Sequence, residues 1–143
     1  MLKLLSTAAV AGLLTTGAFA EGMSHKLAIH VDEDDPQLMN MALNNAANVA
    51  SYYAEQGDTV TIELVTYGPG LKMLTADSPV ADRISAMSLE TPDISFAACA
   101  NTMAGIEKKN GKKPKLLEEA TVVPSGVVRL IELQEDGYAY VRP

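Results

Sequence analysis

From Lys26 to Asp32 the chain is almost continuously apolar, the pattern of a strand buried on both faces, and Asp35-Pro36 then supplies a capping side chain followed by proline at a first helical position. Met39, Leu43, Ala46, Ala50 and Tyr53 recur at three- and four-residue steps. They predict a long helix with one apolar face, closed by Gly57. Thr59 to Tyr67 is rich in β-branched residues and reads as a second strand running into the turn Gly68-Pro69-Gly70. Ser78-Pro79 repeats the cap-plus-proline signature before a helix reaching about Leu89, and Thr91-Pro92-Asp93 separates it from a third strand, Ile94 to Cys99.

Asn101 can cap a short helix toward Lys109, followed by a loop at Asn110-Gly111 and a single helical turn near Pro114. Thr121 to Val123 predicts a fourth strand, Val127 to about Glu135 a helix stopped by Gly137, and Tyr138 to Val141 a fifth strand. Strands and helices alternate throughout. Such alternation specifies an α/β fold, a three-layer α/β/α sandwich with a mostly parallel five-stranded sheet and right-handed crossovers. Ligands bind such sheets at the carboxyl ends of the strands, where Cys99 and the turns at Gly68 and Pro124 all fall.

The first twenty residues do not share this pattern. Lys3, the apolar run Leu4 to Leu14 and Ala18-Phe19-Ala20 form an export signal with its cleavage site, which implies a periplasmic or secreted protein and no membrane attachment after removal. Residues 21–143 then form one domain. The chain of 143 residues has a formal net charge of −7, one unit more negative without Lys3, which argues against a nucleic-acid partner. Lys108, Lys109, Lys112, Lys113 and Lys115 form the one basic cluster, read as a solvated loop able to meet an anion.

A lone cysteine, Cys99, has no partner for an internal disulfide, so the fold stands on core packing. Its position at a strand-to-helix junction favours the thiolate, and with it nucleophilic chemistry. Asn101 and Thr102 can orient the sulfur. Asn40, Asn44 and Asn48, four residues apart, stripe one side of the first helix and line either the site, a subunit interface or solvent. Gly68, Gly70 and Gly126 supply turn conformations whose amides could also hold an anion. His30, inside an apolar strand, reads as core, and His25 lies near the start of the domain.

The segments Leu43-Asn44-Asn45-Ala46-Ala47-Asn48, Tyr67-Gly68-Pro69-Gly70-Leu71, Phe96-Ala97-Ala98-Cys99-Ala100-Asn101-Thr102, Val123-Pro124-Ser125-Gly126-Val127 and Gln134-Glu135-Asp136-Gly137-Tyr138-Ala139-Tyr140, taken in order, resemble the DsrE/DsrF-like family of small sulfur-handling proteins. The resemblance spans nearly the whole chain after the signal. It implies a homo-oligomer, trimer or hexamer, in which a cysteine carries sulfur as a persulfide. Cys99 is the matching position, with Asn101, Thr102, Asn44, Asn48, Gly68, Gly70, Ser125 and Gly126 as candidate binding residues. The expected partner is a small sulfur compound or a protein thiol, and no cofactor is expected.

Two other readings stay open at this stage. Met39, Met41, Met73, Met87 and Met103 place thioethers in an exported protein, so Cys99 and Met103 could bind Cu(I). Alternatively the cysteine is inert packing in a scaffold module, in which case a serine in its place would bury a hydroxyl in need of a partner.

Overall fold

The computed structural model describes residues 22–143; the expected export signal lies outside them. The chain runs β1 (Ser24–Val31), α1 (Pro36–Glu55), β2 (Thr59–Thr66), a 3-10 segment (Gly68–Leu74), α2 (Ala81–Glu90), β3 (Ile94–Cys99), α3 (Ala100–Asn110), β4 (Ala120–Val123), α4 (Gly126–Glu135) and β5 (Ala139–Val141). Asp35 caps α1, its carboxylate accepting from the Gln37 amide at 2.8 Å, and Gly57 takes a φ of +79° just beyond the helix end.

All five strands are parallel, in the order β4-β3-β2-β1-β5. Three successive connections step the same way across the sheet, and the right-handed rule therefore keeps α1, the 3-10 segment, α2 and α3 on one face. The last connection reverses direction to reach the far edge, which puts α4 alone on the other face. The two cores record this division. On the first face Met39, Leu43, Leu71, Ile84 and Met103 pack against Ile29, Leu64 and Phe96. On the second, Leu130 and Leu133 of α4 cover Ala28, Val65 and Ala97. The expected α/β/α sandwich is present, with one thick and one thin helical layer.

Sequence and structure part at three places. Gly68-Pro69-Gly70, expected as a turn, opens the 3-10 segment, whose Leu71, Met73 and Leu74 are fully buried. Gly70 passes so close to β1 that a Cβ would stand 2.2 Å from the Val31 carbonyl oxygen, so its role is backbone packing. The second helix begins at Ala81, because the Ser78 hydroxyl accepts from the Val80 amide in a turn that precedes it. No helical turn forms near Pro114. That segment is instead stapled to the end of the 3-10 segment, with Ala76 N donating to Lys115 O and Leu117 N to Leu74 O, both at 2.9 Å.

Candidate functional site

β3 leads into α3 on one face and its neighbour β4 into α4 on the other, so the ends of these strands form the point where the winding of the sheet changes direction. Parallel sheets open a crevice at such a point. Cys99 is the last residue of β3 and pairs in register with Val123, the last of β4. The sole cysteine therefore sits at the switch point.

Cys99 also caps α3. Its backbone is extended (φ −74°, ψ 116°) and its sulfur accepts a hydrogen bond from the Thr102 amide at 3.4 Å. The sequence expectation gave this duty to Asn101. The strand runs directly into the helix without an intervening residue, so the residue with extended backbone is the cysteine, and Asn101 lies exposed in the first turn. Thr102 is held in turn, its hydroxyl oxygen accepting from the Gly68 amide at 2.9 Å. Burial alone would push the Cys99 thiol up. Hydrogen bonds from the Thr102 hydroxyl and the backbone amides of Gly126, Thr102 and Asn101 outweigh it and hold the thiol below its ordinary pKa. The residue is 4% exposed.

Of the other candidates, Ser125 precedes α4 without a side-chain capping bond. Gly126 has a steric role beside its amide: a Cβ there would stand 2.8 Å from the Tyr67 ring. The Gly68 amide is already committed to Thr102. Asn44 and Asn48 are not brought to the thiol. Arg83 of α2 donates to Asn40 Oδ1 at 2.6 Å and to Asn44 Oδ1 at 2.9 Å, locking α2 onto α1. Asn48 lines a groove with Tyr52, Ala139 and Val141 near the start of β1. Met103, the alternative copper ligand, is 4% exposed within the larger core.

Other residues to which the sequence assigned no part in the site, His30 among them as core, stand on the same edge as Cys99. Tyr67 lies between Gly126 and His30, stacking on the imidazole with ring centroids 4.6 Å apart. His30 Nδ1 hydrogen-bonds the Tyr140 hydroxyl at 2.8 Å, while its buried Nε2 has no hydrogen-bond partner among the described residues and lies 3.9 Å from Asp32. Arg142 bonds Asp32 and Glu33, each at 3.0 Å, tying the C-terminal end to the acidic run after β1. The available signal was positional: a histidine or tyrosine at the carboxyl end of an apolar strand.

Burial lowers the His30 pKa, the Asp32 carboxylate pulls the other way and Arg142 adds to the lowering. With the folded value below 6.5, the unfolded chain takes up the proton first, so this contribution to stability is complete above 6.5 and is lost as the pH falls through and below it. The urea midpoint should therefore drop in that window. The drop should be smaller in His30→Phe, and equal slopes in the two proteins would refute the assignment.

The fold and the site define a doubly wound parallel α/β protein with a hydrogen-bonded thiol at its switch point. The chain belongs to the DsrE/DsrF-like family, whose model matches residues 26–143. It is similar to the solved structure of a protein of unknown function, MTH1491, from Methanobacterium thermoautotrophicum, with 30% sequence identity over 83% of this chain and 99% of that one and a TM-score of 0.71. Among curated proteins none matches the chain. Among the described residues no helix is long and apolar enough to cross a membrane.

Proposed function

We propose that this protein is an exported carrier of sulfane sulfur, with Cys99 as acceptor. The observation that carries the reading is the thiol at the switch point, whose sulfur accepts from the Thr102 amide at 3.4 Å and whose pKa the neighbouring donors lower. The Cys99 thiolate attacks the terminal sulfur of a polysulfide or of a donor persulfide, forming Cys99–S–S⁻. The donor's sulfur–sulfur bond breaks, and its leaving sulfur departs with the electron pair as a thiolate. An acceptor thiolate then attacks the outer sulfur of Cys99 and releases the Cys99 thiolate. Neither transfer needs an external oxidant, and the donors that favour the thiolate also stabilise the persulfide anion.

Incubation of folded protein with polysulfide should add sulfur to the Cys99 peptide, read by mass spectrometry. Absence of an adduct under conditions that load a small free thiol would sink the reading. The inert-scaffold alternative draws on the 4% exposure of Cys99, and the same measurement decides between them.

The reading includes a homo-oligomer, trimer or hexamer. Val127, Val128 and Ile131 expose an apolar stripe on α4, and Tyr140 and Val141 do so on the edge strand β5. Light scattering at micromolar concentration should return a multiple of the chain mass. A monomer would overturn this part.

A further inference from the structure

Beside Thr102 lies a groove of about 1050 Å³ between the 3-10 segment and α3. Its rim carries Lys72, Lys109, Lys112, Lys113 and Lys115, in a chain whose formal net charge is −7. Lys72 is paired with Asp77, and Asp34 stands elsewhere on the rim. The other four lysines enter no salt bridge among the described residues. Lys109 has a local explanation, since it lies in the last turn of α3 and meets the negative end of the helix dipole. Lys112, Lys113 and Lys115 lie beyond that helix and have none.

Lys115 does not sit in a free loop: the Ala76–Lys115 and Leu117–Leu74 hydrogen bonds and the bridge pairing Thr75 with Leu116 hold its segment against the end of the 3-10 segment, two positions after Lys113. Lysines side by side repel one another, and an anionic group that meets them relieves that repulsion. Pro69, Ile106 and Pro114 give the groove an apolar lining. We infer that this groove docks an extended acidic segment, with interspersed apolar side chains, of a partner protein.

The apolar lining favours a polypeptide over nucleic acid, whose outer surface is phosphate and sugar, and a volume of about 1050 Å³ exceeds what a small anion fills. The surrounding negative charge repels a flat anionic membrane more than a narrow chain that enters only the groove. The inference adds a partner to the sulfur-carrier reading and rests on it for that partner's role as sulfur donor or acceptor. Binding itself is independent of Cys99. Gly68 and Thr102 border the groove, and the Thr102 amide touches the sulfur, so docking here brings a partner beside the residue that hydrogen-bonds the thiol.

Fluorescence anisotropy with a short labelled peptide of glutamates and leucines tests the inference on the full-length protein. The peptide should bind, more weakly as salt rises, and its affinity should fall about tenfold or more in Lys112→Glu/Lys113→Glu/Lys115→Glu. These side chains are exposed and unpaired, so circular dichroism should show an unchanged melt. The neutral variant Lys112→Gln/Lys113→Gln/Lys115→Gln should fall between. Equal affinity in wild type and the charge-reversed variant overturns the inference. So does tighter binding, through the same lysines, of a single-stranded oligonucleotide, of phosphatidylglycerol vesicles or of thiosulfate. Peptide binding without sulfur loading of Cys99 would instead retain the docking surface and remove the carrier reading.

Discussion

Cys99→Ser is expected to take up no sulfur while keeping its fold. Cys99 is the one cysteine in the chain, so its replacement removes the only thiolate able to bear a persulfide. From sequence alone, a serine here would leave a hydroxyl in need of a partner only if the cysteine were inert packing. The structure supplies one: the Thr102 amide that donates to Sγ at 3.4 Å can donate to Oγ instead, and serine is a favoured helix cap. Stability should thus stay within about 1 kcal/mol of wild type. Cys99→Ala, which removes the cap acceptor as well, should cost about 1 kcal/mol more. Paired measurement of sulfur loading and urea unfolding checks both variants. Sulfur still held by Cys99→Ser would mean noncovalent binding elsewhere and would refute the carrier mechanism.

Arg129→Ala should cause the largest loss of stability of the changes considered. Glu63 is 8% exposed on the central strand β2, facing α4, and Arg129 answers it with two hydrogen bonds of 2.7 Å each. The Glu63 carboxylate raises the Arg129 pKa, holding the guanidinium charged. Removing the arginine leaves a buried carboxylate without a partner, at a cost of about 3 kcal/mol, and should lower the melting temperature by roughly 10 °C. The pair need not be worth that much by itself. Replacing both residues, as Glu63→Leu/Arg129→Leu, should recover most of the loss, because no charge is then stranded. Urea midpoints at constant slope would show it; a single variant as stable as wild type would mean that Glu63 finds water.

The ion pair illustrates what a linear pattern hides. Glu63 stands among the β-branched residues of Thr59 to Thr66, and nothing within that run marks its carboxylate for an ion pair. Its burial follows only from the course of α4, which must cross the sheet diagonally from β4 to reach β5. The asparagine stripe is a second case. Its four-residue spacing placed Asn40 and Asn44 on one side of α1, but only the packing of α2 reveals that Arg83 claims both.

Local chemistry was enough to place the strands and helices, because Asp35-Pro36, Gly57 and the apolar periods act over a few residues. It also put Cys99 at a strand end facing a helix start. Whether Asn101 or Cys99 caps α3 depends on where β3 stops pairing with β4, a contact more than twenty positions away in sequence. His30 read as core because an imidazole in an apolar strand carries no mark of its future neighbours. Tyr67 and Tyr140 meet it only after β1 has been set between β2 and β5. By itself, then, the sequence determined the α/β class, most of the elements and the place of the one cysteine. The tertiary structure decided the strand order, the switch point that gives the thiol its amides, and the fixed course of the lysine segment beside it, since each depends on contacts between residues that no local pattern relates.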